Sequence, residues 1–316
     1  MTQLEWKTID EQPERLFGIG RRVPGKGEYR SLTFHEVDSK SIINHVPAAS
    51  GLPFEYTVNA YRGCSHACSY CFARPTHEYL GFDIGQDFDT QIVVKRNAVE
   101  LVRAETAPGR WHGASIAMGT NTDPYQKAEG KYRLTRGIAE VLVERGNPFS
   151  ILTKSTLALR DLDVFLRAPH MMSVDFSIAT LDEEVWKTTE PGTPHPRRRM
   201  EAVASLNEAG IPSGVLVAPL LPKISDQQEK VAEVLAAAAE AGARFAAPMK
   251  LHLKPGLRGH WFDWLARTYP EFVEDYRELY RGRAFLERRA DRRSNRWGDR
   301  SVTPPPRKPA QMTLDL

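Results

Sequence analysis

The sequence predicts an α/β fold, a partial TIM-like (β/α)6 barrel of parallel strands, and three observations lead to this prediction. Short apolar runs of strand length alternate with stretches of strong helix formers, in units of about 30 residues. The runs are apolar on both faces, which is typical of parallel strands. Six units are visible in the 316 residues, fewer than the eight of a closed barrel, so the barrel is expected to be open.

The strands and helices follow one another along the chain. Strands are predicted at 54–60, 115–120, 149–154, 172–180, 214–220 and 245–253. Helices are predicted between them at 135–145, 198–209 and 227–241. The last helix reads QQEKVAEVLAAAAEA and ends before Gly242, a residue type that commonly terminates helices. In parallel barrels the functional side chains lie at the carboxyl ends of the strands, so polar residues just after each strand are the site candidates.

Composition and the N-terminal stretch indicate a cytoplasmic protein. Hydrophobic residues make up 41% and charged residues 26%, and no run of eighteen apolar residues occurs, so no membrane contact is expected. The stretch MTQLEWKTIDEQPERLFG has early acidic residues and no apolar segment, unlike a signal peptide. Structural disulfides are rare in the cytoplasm, so an odd number of clustered thiols indicates metal or redox chemistry.

The chain is expected to divide into three segments: an irregular N-terminal extension over 1–50, a core domain over 51–282 and a basic tail over 283–316. The tail has three consecutive prolines and almost no apolar periodicity, which predicts disorder. From Arg281 to Lys308, ten Lys or Arg stand against three Asp or Glu. A solvated basic surface explains this charge, and a nucleic-acid partner is the alternative, which Trp297 among the arginines keeps open.

The segment GCSHACSYC, directly after the first predicted strand, contains all three cysteines of the chain. Their spacing is Cys64-x3-Cys68-x2-Cys71, and thiolates of this kind bind zinc or an iron–sulfur cluster. A structural zinc site takes four protein ligands and would need a histidine such as His66 or His77. A [4Fe–4S] cluster normally takes four cysteines. With three, one iron would keep an open coordination position.

A CxxxCxxC motif at the end of the first strand of a partial βα barrel resembles the radical S-adenosylmethionine (radical SAM) superfamily. The resemblance implies that 51–282 is a radical SAM core domain in which the three cysteines hold a [4Fe–4S] cluster. S-adenosylmethionine (SAM) would chelate the fourth iron through its amino and carboxylate groups. An external one-electron reductant, of the flavodoxin or ferredoxin type, would supply the electron that cleaves SAM to methionine and a 5′-deoxyadenosyl radical. That radical would abstract hydrogen from a substrate that the sequence does not specify.

Several segments resemble the spore photoproduct lyase-like branch of this superfamily. They are NAYRGCSHACSYCFARPTHEYLG, NTDPYQKAE, LTKST, FSIATLDEEVWKTTEPGTPHPRRR and GVLVAPLLP, and they fall within roughly residues 40 to 285. The lyases carry a cysteine hydrogen donor at the end of the second strand, where this chain reads IAMGTNTDPY. The lack of a thiol there argues against DNA photoproduct repair by that route.

The resemblance also implies roles for residues at the strand ends. Lys154, the last residue of FSILTK, corresponds to a lysine that binds the SAM carboxylate, and a cation after an apolar run must face solvent or a ligand. The other implied cofactor contacts are aromatic side chains beside the third cysteine, hydroxyls at strand ends and a backbone position on the fifth strand: Tyr70, Phe72, Thr120, Ser177 and Ala218.

Polar residues in two loops are expected to face a substrate. Asp123 and Tyr125 follow the second strand and Glu190 follows the fourth, so both loops open at the same edge; simple turn formation is the alternative. Arg199 is expected to pair with Glu190 or with a substrate anion. Two further residues are expected on the open side of the barrel: His252 and Lys254.

Tyr125 is the predicted internal hydrogen donor for a substrate radical, because no cysteine remains outside the three cluster ligands. An external reductant and hydrogen returned from 5′-deoxyadenosine are the alternatives. Two other functions also stay open: a zinc-stabilised nucleic-acid-binding protein and an iron–sulfur electron carrier. Metal content separates the zinc protein from the enzyme, and SAM cleavage separates the electron carrier from it.

Overall fold

The computed structural model describes residues 20–47, 54–284 and 286, and every structural statement below concerns these residues. The tail that the sequence predicts to be disordered, including Trp297, lies almost entirely outside them.

The described strands are β1 (Arg21–Pro24), β2 (Thr33–Val37), β3 (Ile43–His45), β4 (Tyr56–Val58), β5 (Tyr61–Arg62), β6 (Gln91–Lys95), β7 (Ile116–Met118), β8 (Phe149–Thr153), β9 (Met172–Ser177), β10 (Val215–Leu220) and β11 (Ala246–Lys250). The α-helices are α1 (Gln86–Thr90), α2 (Ala98–Glu105), α3 (Lys127–Tyr132), α4 (Leu134–Glu144), α5 (Leu162–Phe165), α6 (Glu183–Thr189), α7 (Pro196–Glu208), α8 (Gln228–Glu240), α9 (Pro255–Thr268) and α10 (Val273–Leu279).

The larger sheet is the predicted parallel barrel. Its strand order is β11-β10-β9-β8-β7-β4-β3, and each neighbouring pair from β4 to β11 is parallel, whereas β3 pairs with β4 antiparallel. Each of the six predicted strands contains one observed parallel strand. The prediction of an open α/β barrel with six parallel strands is confirmed.

Burial explains why these segments form strands and helices. All six residues of β9 are buried, as expected for a central parallel strand covered on both faces. Helix α4 presents Leu134, Ile138, Val141 and Leu142 to the core, which is the spacing of one helical face. Helix α8 ends before Gly242, which has a φ of 67° in the left-handed region that glycine tolerates.

A second, smaller sheet includes two strands, β1 and β2, from the segment that the sequence predicts to be irregular. Its order is β1-β2-β6-β5, with β2 parallel to β6 and the other pairs antiparallel. Strands β1, β2 and β3 all fall within residues 20–47, so this part of the 1–50 segment differs from the expectation. The buried Phe34 of β2 and Ile92 of β6 join the main core, which explains why these short strands form.

The C-terminal helices pack beside the loop that carries the cysteines. Trp261 of α9 and Tyr276 of α10 belong to the same buried apolar cluster as Cys68 and Tyr70. The Tyr280 hydroxyl, just after α10, donates to the Leu251 carbonyl at 2.8 Å, just beyond β11. Within the described ranges, no helix is both long enough and apolar enough to cross a membrane.

Candidate active site

A cavity of about 250 Å³ opens at the carboxyl ends of the parallel strands. Most residues singled out in the sequence line it: Cys64, Cys68, Tyr70, Cys71, Phe72, Thr120, Asp123, Lys154, Ser177, Ala218 and His252. Two predicted site residues, Tyr125 and Glu190, do not line it. Lys254 is not in the lining either, but its Nζ lies 5.5 Å from the centre of the Phe72 ring.

The cysteine loop follows a path that its own backbone and one buried arginine impose. Gly63 has a φ of 75°, and a Cβ there would lie 2.9 Å from the Gln91 carbonyl oxygen, so only glycine suits this position. Arg74 is fully buried, and its Nε donates to the Cys68 carbonyl at 3.0 Å. A terminal nitrogen of Arg74 donates to the Asp89 carboxylate at 2.8 Å. These contacts fix the backbone of the cysteine loop at Cys68 and join it to Asp89.

The three thiols fit a cluster better than a single metal ion. All are free, and burial raises the pKa of Cys64, Cys68 and Cys71, with the neighbouring thiols adding to the shift for Cys64 and Cys68. No three His, Cys, Asp or Glu side chains of the described residues converge closely enough to hold one ion. A zinc site needs such convergence, whereas each cysteine of an iron–sulfur cluster can meet a different iron.

The two histidines considered as zinc ligands have separate environments. The His77 ring is buried between Phe82 and Phe88, and its Nε2 lies 3.0 Å from the Gln91 carbonyl oxygen, away from the cavity lining. His66 does line the cavity, with Nδ1 3.3 Å from Asp123 Oδ2 but without hydrogen-bond alignment. The arrangement does not favour a fourth histidine ligand.

Lys154, Ser177 and Ala218 come together at the ends of neighbouring strands. The Lys154 Nζ donates to Ser177 Oγ at 2.7 Å and to Glu190 Oε1 at 2.9 Å. Ser177 Oγ in turn donates to the Ala218 carbonyl at 2.8 Å. An ammonium group has three N–H donors, and these contacts use two, so Lys154 can still donate to a ligand in the cavity.

Glu190 is buried behind the cavity, which differs from its expected place facing a substrate. Its carboxylate accepts hydrogen bonds from Tyr70, Lys154 and Arg199, the last at 2.5 Å. Burial opposes the charge of Glu190, but the Arg199 and Lys154 cations and the Tyr70 hydroxyl outweigh it and hold its pKa well below the ordinary value. Arg199 was expected to pair with Glu190 or with a substrate anion, and in the structure it pairs with Glu190.

Asp123 lines the cavity, but protein donors occupy its carboxylate. Thr153 Oγ1 donates to Oδ1 at 2.7 Å, and the backbone N–H of Lys154 donates to Oδ2 at 2.7 Å. Burial opposes its charge, while His66 and these hydrogen bonds prevail and lower its pKa. Asp123 therefore joins the second-strand loop to the end of β8 and fixes the backbone of Lys154.

Tyr125 is buried away from the cavity, so the structure does not place it where a hydrogen donor must stand. Its side chain is 1% exposed, and its hydroxyl donates to Asp161 Oδ2 at 3.0 Å. Asp161 also accepts from Arg160 and Arg136, so Tyr125 belongs to a buried charged network below the loop. Proximity to a strand end in sequence does not determine the direction of a side chain.

Sequence reasoning missed residues that join the second-strand loop to the cysteine loop. Gln126 is fully buried, accepts from the Ser65 backbone N–H at 3.1 Å and donates to the Gly63 carbonyl at 2.8 Å. Thr122 Oγ1 also donates to the Gly63 carbonyl, at 2.6 Å. The sequence gives only a weak indication of the roles of Gln126 and Thr122, since polar residues are common in the loops that follow strands. The lining also includes Asn121, Met249 and Lys250, which were not singled out.

Comparison with known proteins identifies the family. The Radical SAM superfamily model matches residues 58–235, more than half of the chain. The chain belongs to the radical SAM superfamily. It is a radical SAM enzyme, and it uses SAM.

Several relatives and solved structures are similar to this radical SAM enzyme. An uncharacterized protein of Mycobacterium tuberculosis is 49% identical over 261 residues, covering 82% of this chain and 77% of the relative. The "Radical SAM Nalpha-GlyT isomerase" of Pseudomonas phage M6 is 27% identical over 162 residues, 51% of this chain and 32% of the relative.

A spore photoproduct lyase mutant has a TM-score of 0.57 at 17% identity, covering 79% of this chain and 72% of that chain. A further lyase mutant, with bound AdoMet and dinucleoside spore photoproduct, has a TM-score of 0.55 at 17% identity and the same coverage of both chains. The likeness to both lyase structures is one of fold.

Proposed function

We propose that this enzyme holds a [4Fe–4S] cluster with Cys64, Cys68 and Cys71 and cleaves SAM reductively to start a radical reaction on a substrate. The cluster, when bound and reduced by an external flavodoxin- or ferredoxin-type protein, supplies the electron that yields methionine and the 5′-deoxyadenosyl radical, which abstracts hydrogen. The observation that carries the proposal is that the only three cysteines of the chain line one cavity together with Lys154 and Ser177.

The chain's own residues bind and orient SAM. Lys154 takes the SAM carboxylate through its remaining N–H donor, beside the Ser177 hydroxyl. Four other lining residues would contact the adenosine part of SAM when it is bound: Tyr70, Phe72, Thr120 and Ala218. Asp123 and Glu190 act on SAM indirectly, because they hold the backbone and the side chain of Lys154.

The substrate radical is quenched without a cysteine of this chain. Every thiol is assigned to the cluster, and Tyr125 is held by Asp161 outside the cavity lining. We therefore favour hydrogen returned from 5′-deoxyadenosine or supplied by an external reductant. The lack of a cysteine outside the three proposed cluster ligands also supports an activity other than the lyase route.

Spectroscopy of the reconstituted enzyme tests this proposal. Anaerobically purified protein is loaded with iron and sulfide, reduced, and examined by electron paramagnetic resonance with and without SAM. We expect the signal of a reduced iron–sulfur cluster, and we expect SAM to change it because SAM binds the open iron. An identical spectrum with and without SAM would favour a simple electron carrier, and a protein that retains zinc instead of iron would favour the zinc alternative.

A further inference from the structure

Three charged side chains form a largely buried group at the edge of the cavity, and their charges do not cancel. Lys154, Glu190 and Arg199 have side-chain exposures of 13%, 4% and 0%, and both cations pair with the one carboxylate. This group, the buried triad, has a net charge of +1. Among the described ion pairs, no second carboxylate reaches either cation. A buried charge is costly unless it is paired, so the triad is suited to one more anion.

The two cations of the buried triad differ in what they can reach. The Arg199 guanidinium donates to the Pro194 and Ser177 carbonyls, each at 2.9 Å, as well as to Thr193 and Glu190. These contacts fix it behind Glu190, away from the cavity. Lys154 lines the cavity. An anion that enters therefore meets Lys154 and not Arg199.

We infer that Arg199 is a positioning residue that offsets the charge of Glu190, so that Lys154 presents a full positive charge to the carboxylate of SAM. The inference rests on the proposed function, because it takes SAM as the ligand of Lys154. Without Arg199, Glu190 would neutralise Lys154 and the triad would have no net charge. Because the three groups are shielded from water, the sum of their charges matters more than it would at the surface.

Two variants that change the net charge of the triad test this inference, with SAM affinity measured on the reconstituted enzyme. Arg199→Met brings the triad to zero, so SAM affinity should fall roughly threefold to tenfold. The double variant Glu190→Gln/Arg199→Met returns the triad to +1, so its affinity should recover to within about twofold of wild type. A purely structural clamp predicts the opposite order, with the double variant binding SAM more weakly than the single variant, and that order would overturn the inference.

Two further measurements separate a charge effect from misfolding. Decarboxylated SAM lacks the anion, so Arg199→Met should change its affinity by less than about twofold. If Arg199→Met does not fold, Glu190→Gln alone decides: its triad has a charge of +2, so it should bind SAM at least as tightly as wild type, and weaker binding would contradict the inference.

The alternative is that the positive charge of the triad acts on the nearby Cys68 thiolate rather than on SAM. Lys154, Glu190 and Arg199 all influence the pKa of Cys68. An Arg199→Met enzyme with unchanged SAM affinity but a shifted cluster reduction potential would assign the charge to the cluster and overturn the inference. Wild-type protein that forms no cluster or binds no SAM would instead contradict the proposed function, and this is known before any variant is made.

Discussion

The cysteine thiols are the residues on which the proposed chemistry depends most directly. Replacing Cys68 by Ala should abolish the cluster, because the two remaining thiolates would leave two of the four irons without a protein ligand. Iron content of the anaerobically reconstituted protein checks this. Ser69→Ala is the matched control in the same loop, since the Ser69 hydroxyl makes only a long 3.5 Å contact to the Thr189 carbonyl, and the backbone N–H that donates to this carbonyl at 3.0 Å is retained. Near-wild-type iron in Cys68→Ala would disprove the ligand assignment.

Lys154 should determine SAM affinity without affecting the cluster. Lys154→Met keeps the side-chain length and removes the charge, and a hydrogen bond to a charged group contributes roughly 1.5–3 kcal/mol. The SAM dissociation constant should therefore rise about tenfold to a hundredfold, measured by equilibrium dialysis under anaerobic conditions. Lys187→Met serves as control, because Lys187 is half exposed and pairs with Glu183 on the surface. An unchanged constant in Lys154→Met would rule out the carboxylate contact.

At the scale of elements, the second-strand loop is held by the buried network below it. Tyr125→Phe removes the hydroxyl that donates to Asp161, so the free energy of unfolding should fall by about 1–3 kcal/mol, while iron content and SAM binding stay at wild-type levels. Chemical denaturation of the two proteins measures this. Tyr79→Phe, at a side chain that is 73% exposed, should be nearly neutral. Unchanged stability of Tyr125→Phe would contradict a structural role for this hydroxyl.

The elements that could be predicted from the sequence are those with a local signal. The strands that form β8, β9 and β10 are apolar runs between turn residues, so their positions followed from the pattern alone. Strand β6 was missed because its partners come from distant parts of the chain, and β5 has only two residues. Pairing between such short, distant segments leaves no periodic pattern to read.

The same limit applies to the candidate site. Lys154 and Ser177 could be predicted because each ends a parallel strand, and strand ends converge at one edge. Gln126 could not, since its partner is the Gly63 carbonyl 63 positions away. Glu190 was predicted near the carboxyl ends of the strands, where it lies, but facing a substrate, which it does not. The sequence does not reveal that Arg199 and Tyr70 enclose its carboxylate.

On the scale of the whole molecule, the small sheet joins the N-terminal segment to the barrel. Strand β2 pairs with β6 along five residues, and β6 follows the cysteine loop. We therefore propose that residues 20–47 belong to the core domain rather than to a separate extension.

The tail should be dispensable for SAM cleavage. Truncation after residue 286 keeps the Ala284 carbonyl, which accepts from the Leu253 backbone N–H at 2.9 Å, so the protein should fold and cleave SAM as before. If nucleic acid is a partner, the truncated protein should bind it more weakly and with a smaller dependence on salt. Loss of SAM cleavage in a folded, truncated protein would show that the tail takes part in the chemistry.

The central claim is that the three cysteines support reductive cleavage of SAM. The most direct measurement is 5′-deoxyadenosine and methionine formed by the reduced, reconstituted enzyme supplied with SAM alone, with Cys68→Ala in parallel. We predict about four irons per chain, slow formation of both products in equal amounts by the wild type, and neither product from the variant. Wild-type enzyme that holds iron and a reducible cluster but forms no 5′-deoxyadenosine from SAM would contradict the account.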